Sequence, residues 1–388
     1  MGKKSLNILM IAHATNKAGG GEDDFFRLLK EFKNEFIIYG VIPEGYRAEQ
    51  FEKYTDYPIR IPDKIFPFTK FNILKYIQYF LISLKKIKIL YPFFRNHKND
   101  FDICFVNSSV CLTEIMLLNH FKIPYVLSIK EKIQPEFIRK LIYKYYDRTA
   151  KAVIVISGEL KKTYEEICKN IKPELIYSSI DEDEYTEIKN ELNRNPSENN
   201  KDTFQIINIG NIYPLKNQIM LLDALGNKIA KQKIKVIFAG AVTDRQYFEK
   251  LKAKAEKFKG VEVIFAGALD RKEVIRSIYN SDCVVITSKQ EGMSLVLVES
   301  LFMEKPVIAT PVGAIPDVIR NGVNGFMLKG FDSSELSFYI DRLINDRDIA
   351  VCISKNAFKA YKENFDIGHY LKSHREILLN NAYKNERN

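Results

Sequence analysis

Glu291 and Glu299 are separated by seven residues in the segment EGMSLVLVESLF, just after an apolar run that ends at Thr287. A run this short and β-branched reads as a strand, the residues after it as a Gly-containing loop, and the stretch from about Ser294 as a helix. That passage aims free backbone N–H groups and a positive helix end at the carboxyl edge of a sheet, where open α/β sheets bind nucleotides. Glu299 would lie a little over one turn into the helix, within reach of two neighbouring ribose hydroxyls. Glu291, in the loop, would reach toward a sugar. A single Glu is usually a loop acid or a solvated helix residue, so neither glutamate decides the matter alone.

A second set comes after the run Phe204 to Ile209, in the order Gly210-Asn211-Ile212-Tyr213-Pro214-Leu215-Lys216-Asn217. Lys216 suits a phosphate, because a departing nucleoside diphosphate gains negative charge and a fixed cation lowers the barrier to its departure. Its plain alternative is a lysine in solvent at a helix start. Near the N-terminus Gly19-Gly20-Gly21-Glu22 comes after the run Leu6 to Ala12. It lacks the G-x-G-x-x-G spacing of a dinucleotide loop, and its glycines also suit a tight strand-to-helix turn. His13 ends that first run, where a neutral imidazole could touch an acceptor or a sugar hydroxyl. Lys130 and Glu131 close the run Tyr125 to Ile129. Glu131 could take a proton from an acceptor hydroxyl or orient it, and a salt bridge at the sheet edge is the equally plain account.

The elements that must position these residues alternate from end to end, short β-branched runs with helical stretches, as parallel strands joined by crossover helices do. Strands are expected at Leu6 to Ala12, Phe36 to Ile42, Tyr57 to Ile61, Asp102 to Asn107, Tyr125 to Ile129, Ala152 to Ser157 and Glu174 to Tyr177. The texture then turns acidic and Asn-rich in DEDEYTEIKNELNRNPSENNKD, which reads as a linker over residues 181–202. Alternation restarts with Phe204 to Ile209, Ile234 to Ala239, Val261 to Phe265, Cys283 to Thr287, Val307 to Ala309 and Gly325 to Leu328. The expected domains are therefore 1–180 and 203–365, with a final helix over 366–388 free to pack back on the first.

The chain has 388 residues, 46% apolar and 28% charged, enough to bury two cores. Its five cysteines are scattered, with no C-x-x-C pair, so neither a disulfide framework nor a zinc site is expected and a reducing cytoplasm fits. No D-x-D closes a strand; Asp181-Glu182-Asp183 has an acid-x-acid spacing but falls in the linker, and no metal is expected. The opening MGKKSLNILMIAHAT has an apolar run too short for a secretory signal and leads into a polar, Gly-rich stretch, so it reads as the first strand.

Net charge is +10, and much of it lies between Lys64 and Lys98, where eight Lys/Arg occur without any Asp or Glu. Phe66, Phe68, Phe71, Tyr76, Tyr79, Phe80, Tyr91, Phe93 and Phe94 interleave with them, a mixture suited to an anionic membrane surface. A core helix with a solvated basic face explains it equally well. The lysines interrupt it too often for a membrane span. Nucleic acid is set aside for want of any accompanying motif.

The segment EGMSLVLVE, followed by KPVIATPVGAIPDVIRNGVNGF, resembles the donor-site signature of family 4 glycosyltransferases. The resemblance implies a GT-B fold, two facing Rossmann-like parallel-sheet domains with a cleft between them, and retaining transfer from a nucleotide-sugar. It further implies donor contacts by Gly20, Gly21, Asn211, Lys216, Glu291, Gly292, Met293, Ser294, Leu295 and Glu299, the last on the ribose. Relatives usually carry Arg beside the glycine where this chain has Asn211, and often a His before the acid where it has Lys130. An Asn cannot supply the charged fork of an Arg, so one fixed positive charge is missing.

Glu291, Lys216, His13 and Glu131 are the expected catalytic residues. The expected activity is transfer of a sugar, from a UDP-sugar by preference, to a hydroxyl of a glycan or lipid-linked acceptor in bacterial surface polysaccharide synthesis. It would use neither cofactor nor nucleic acid and would take place in the cytoplasm, with a peripheral position on the inner face of the plasma membrane. The alternatives are a non-catalytic sugar-nucleotide-binding or membrane-scaffold protein, to which Asn211 lends weight, and a nucleotide-sugar epimerase, which the paired glutamates do not support.

Overall fold

The structure is a computed structural model that describes residues 6–15, 20–63, 66, 73–194, 202–226, 233–258 and 260–383. Gly19, Lys64, Phe68 and Phe71, named above, lie outside the described residues. The chain forms two compact units, one running to Ser178 and taking up the chain again from Gly368, the other spanning Ser179–Ile367.

The first unit is built in the order β1 (Asn7–Ile11), α1 (Gly20–Phe32), β2 (Ile37–Pro43), α2 (Ala48–Glu52), β3 (Tyr57–Ile61), α3 (Ile73–His97), β4 (Ile103–Val106), α4 (Leu112–His120), β5 (Tyr125–Ile129), α5 (Glu136–Thr149), β6 (Ala152–Val155), α6 (Gly158–Ile167) and β7 (Glu174–Leu175). The second contains α7 (Glu182–Arg194), β8 (Thr203–Ile209), α8 (Ile219–Leu225), β9 (Lys233–Ala239), α9 (Arg245–Ala255), β10 (Val261–Gly267), α10 (Arg271–Tyr279), β11 (Cys283–Ile286), α11 (Leu295–Phe302), β12 (Val307–Ala309), α12 (Ile315–Val318), β13 (Phe326–Met327), α13 (Ser333–Asn345) and α14 (Arg347–Asn364). The last helix, α15 (Ile367–Tyr383), returns to the first unit from Gly368 onward.

Both sheets are parallel throughout, seven strands ordered β3-β2-β1-β4-β5-β6-β7 and six ordered β10-β9-β8-β11-β12-β13. These are two Rossmann-like α/β units, the pair that defines the GT-B fold. Central strands covered on both faces must be apolar along their whole length, as β4 (ICFV) and β11 (CVVI) are. In the second unit the core joins Ile206, Val236, Phe238, Val285 and Ile308 from the sheet to Leu221, Leu336 and Ile340 from the helices. Burial of each such side chain contributes about 1.5–3 kcal/mol.

In each sheet the strand order reverses beside its first strand, between β1 and β4 and between β8 and β11. Connections leave in opposite directions there, so the carboxyl ends of those two strands flank an open crevice. His13 and Asn107 lie just past one such pair of ends, and Gly210 and Thr287 just past the other.

One stretch differs from its reading in the sequence. Residues 182–194, taken as linker, form α7, whose Tyr185 and Ile188 are buried. Tyr185 meets Phe302 edge-on with ring centroids 5.6 Å apart, while Glu191 pairs with Arg276 at 3.1 Å and Lys189 with Glu304 at 2.5 Å. Two apolar residues three apart are enough to seat a helix whose other faces are charged. Among the described residues no helix is long and apolar enough to cross a membrane.

Candidate active site

At the carboxyl edge of the second sheet, Lys216 Nζ lies 2.5 Å from Glu291 Oε1, and Ser288 Oγ donates to the same oxygen at 2.6 Å. The side chains of Lys216 and Glu291 remain 22% and 12% exposed. Hydrogen bonds to main-chain carbonyls lock the two loops that carry them. Thr287 Oγ1 donates to Lys216 O at 2.8 Å, Lys289 N to Leu215 O at 2.7 Å, and Thr310 Oγ1 to Ser288 O at 2.6 Å.

Two glycines make room for this arrangement. Gly210 has φ +146°, and a Cβ there would lie 3.1 Å from Lys216 Cε, so the lysine side chain passes over a position that a larger residue would crowd. Gly313 has φ +60°, and a Cβ there would come within 2.7 Å of Gly292 O. Substitution at Gly313 would therefore push the Glu291-Gly292 loop out of place.

Helix α11 starts at Leu295 with Ser294 as N-cap, and the Ser294 side chain makes no capping bond. Glu299, expected on either reading to meet a ligand or solvent, is instead only 3% exposed in its side chain and accepts Arg271 Nη1 at 2.9 Å. Arg271 lies 5.3 Å from the centroid of the Tyr185 ring, so α7, α10 and α11 together place this carboxylate. The sequence reading missed Arg271. Its signal was the D-x-x-E capping box Asp270–Glu273, which starts α10 and fixes Arg271 as the first helical residue. Asn211 is exposed, and its carbonyl accepts from the buried Gln218 Nε2 at 3.0 Å. Gly292, Met293 and Ser294 lie between Glu291 and Leu295, the first residue of α11, at the same edge. A cavity of about 1010 Å³ lies at the opposite, amino ends of these strands, bounded by Gln205, Lys235, Asp282 and Lys305 among others. It shares none of the residues above, and its mixed charges select no ligand.

In the first unit α1 begins at Gly20, and Gly21 packs against His13, whose Cε1 would lie 3.1 Å from a Cβ at that glycine. Asn107 Nδ2 lies 2.9 Å from His13 Nδ1 and 3.1 Å from Gly21 O. A carbonyl only accepts, so the Asn107 atom is its amide nitrogen and His13 Nδ1 accepts as well. The imidazole proton therefore sits on Nε2, which faces Glu22 Oε1 at 3.5 Å. Burial works against ionised Glu22, but neighbouring His13 outweighs it and holds the carboxyl below its usual range.

Glu131 accepts Ser108 Oγ at 2.7 Å. Some of the residue reaches solvent, yet its carboxyl is enclosed closely enough that burial raises its pKa against the pull of His13 and Ser108. Lys130 stays out of this group. Its Nζ pairs with Asp24 Oδ2 at 2.5 Å, and the two side chains are 6% and 2% exposed. Burial opposes the Asp24 charge, but Lys130 and Arg27 more than offset it and bring the pKa to about 2. His374 of α15 is buried beside this pair and is pushed down to about 4 by that burial, with Asp24 pulling the other way. Asn107, Asp24 and His374 escaped the sequence reading because no motif links them.

Two parallel-sheet units, each with a glycine-bearing loop at its switch point, define the fold class, and the comparisons with known proteins agree with it. Residues 189–360 match the family model described as glycosyl transferases group 1. That match falls within the second unit, and the protein is a glycosyltransferase of GT-B fold. An uncharacterised glycosyltransferase of Methanocaldococcus jannaschii is 26% identical over 92% of this chain and 93% of its own length. The crystal structure of Anabaena HepE in complex with UDP and glucose superposes with a TM-score of 0.75 at 19% identity, covering 97% of this chain and all of that one. The lipopolysaccharide outer core galactosyltransferase WaaB superposes with a TM-score of 0.69 at 17% identity, covering 98% of this chain and all of its own.

Proposed function

We propose that this enzyme belongs to the family 4 branch and moves a sugar, with retention, from a UDP-sugar to a hydroxyl of a glycan or lipid-linked acceptor. The setting is bacterial surface polysaccharide synthesis, in the cytoplasm at an anionic membrane surface. The observation that carries the reading is the Lys216–Glu291 pair held over Gly210 at the switch point of the second sheet. The UDP bound in the HepE structure and the lipopolysaccharide role in WaaB's name favour the donor and the setting.

In the free enzyme Glu291, itself held by the Ser288 hydroxyl, keeps Lys216 in place. A diphosphate arriving at the start of α11 would compete for the ammonium and receive its charge as the glycosidic bond breaks. Glu291, released from Lys216, would then accept a hydroxyl of the transferred sugar, while Glu299, held by Arg271, would take the ribose. Gly20 and Gly21 would bring the α1 backbone to the donor, while His13 Nε2–H and Glu131 would face the acceptor. Lys216, the loop amides and the helix end neutralise the leaving group in this scheme, which calls for no metal or cofactor. Departure and attack on the same face of the sugar, without a covalent intermediate, give retention.

A second reading, a non-catalytic binder or scaffold, rests on neutral Asn211 at the donor edge. A panel of UDP-, GDP-, ADP- and dTDP-sugars separates the two, with slow hydrolysis and the anomer of the released sugar followed by NMR. Transfer predicts hydrolysis of one donor with its anomeric configuration retained. Binding without turnover of any donor would favour the scaffold, and a glycosyl-enzyme adduct would overturn the same-face mechanism.

A further inference from the structure

Helix α3 is patterned inside out. The face it turns toward the first unit carries Tyr79, Ser83 and Lys86, with Leu90 and Phe94 beyond them. Tyr79 Oη and Ser83 Oγ lie 2.7 Å and 2.8 Å from Thr113 Oγ1 of α4. Lys86 Nζ reaches Glu114 Oε1 at 2.6 Å, with both side chains at most 3% exposed. A buried ion pair with hydroxyl bonds beside it has directional partners, so it fixes the rotation of α3 about its own axis. The opposite side is left apolar and in water, with Leu74 66%, Ile77 49%, Phe80 61%, Leu81 55% and Leu84 49% exposed. These residues recur three and four apart, so they form one stripe along the helix.

Charge selects what covers the stripe. Lys75, Lys85, Lys88 and Arg95 of α3 are exposed, and the helix contains no Asp or Glu. A second copy docked on this stripe would set these cations against its own. The helix is also not apolar enough to cross a bilayer. A surface with negative head groups over hydrocarbon matches both components, since it takes the apolar stripe while the lysine stems lie along it and keep their ammonium groups among the phosphates. We infer that the outward face of α3, from Leu74 to Arg95, lies in the plane of an anionic bilayer and holds the protein there. At 25 residues the helix is about 37 Å long, enough to lie across several lipids.

The inference deepens the membrane placement proposed above but stands apart from the donor chemistry. Flotation of the full chain with phosphatidylglycerol–phosphatidylcholine vesicles, against vesicles of phosphatidylcholine alone, tests it. The wild type should float at least tenfold more with the anionic vesicles and lose most of that at high salt. Phe80→Ser with Leu84→Ser, and separately Lys85→Glu with Lys88→Glu, should each abolish flotation while thermal unfolding and donor hydrolysis stay as in the wild type. Phe338→Ser, an exposed apolar position on the other unit, should change nothing. A wild type that stays with neither vesicle, or α3 variants that float like the wild type, would overturn the inference. So would a wild-type dimer in sedimentation that Phe80→Ser with Leu84→Ser converts to monomer, because the stripe would then belong to a second copy. A wild type that floats but hydrolyses no donor would sink the transferase reading and leave this one standing.

Discussion

At the switch point of the second sheet the Lys216–Glu291 pair keeps 22% and 12% of its side chains in contact with solvent, whereas beside the switch point of the first the Lys130–Asp24 pair keeps 6% and 2%. Both pairs span 2.5 Å, yet they suit different work. A pair open to water can exchange a carboxylate for an incoming phosphate at small net cost. A pair sealed in the interior cannot change partners without leaving a charge uncompensated. The first unit thus uses its deepest charges as bracing for the rim on which His13 and Glu131 sit, and the second leaves its charged pair open to solvent.

The largest effect should come from breaking the sealed pair. Lys130→Met leaves Asp24 buried without its main partner and should cost about 3–5 kcal/mol of stability in chemical denaturation. Lys216→Ala should do the reverse. Transfer should fall about 10²- to 10³-fold while the denaturation midpoint hardly moves, because that ammonium acts on developing charge.

Acid should then find His374. Its folded pKa, about 4, lies below the ordinary 6.5, so its contribution to stability is full above pH 6.5 and is lost as pH falls toward 4. Across that window the wild type should lose about 3 kcal/mol that His374→Phe does not. The Asp24 contribution lies lower, present above 3.8 and lost as pH falls through about 2, so the two titrations separate. The smallest effect is expected at Asn107. Without its amide the His13 tautomer is no longer held, and Asn107→Ala should lower transfer about tenfold with an altered pH profile and an unchanged donor KM.

The same contrast explains what the sequence disclosed. Contiguous residues carry the candidate donor edge, from Gly210 to Lys216 and from Glu291 to Glu299, so their order along the chain and the resemblance it carries could suggest it. The thirteen strands among the described residues were likewise legible, the central ones such as β4 and β11 because strands buried on both faces are short unbroken apolar runs, the outer ones from their place in the strand-helix alternation. Helix α7 was not, since Tyr185 and Ile188 are few among acidic neighbours and composition there argued for a linker. The polar interior of the first unit was invisible for a different reason. Lys130 and Asp24 lie 106 residues apart, and Ser178 and Asp24 lie 154 apart, joined only by the fold. Helix α3 shows an intermediate case, because its basic-aromatic composition could be read but not its direction. Apolar residues three and four apart ordinarily mark the buried face, and here Tyr79, Ser83 and Lys86 take that face instead.

Calorimetric titration of UDP into wild type, Glu299→Ala and Asn107→Ala tests whether the second unit holds the donor nucleotide, as proposed. UDP should bind the wild type, bind Glu299→Ala at least tenfold more weakly, and bind Asn107→Ala as it does the wild type. Wild type that binds no UDP, or affinity that survives Glu299→Ala and disappears in Asn107→Ala, would contradict that proposal.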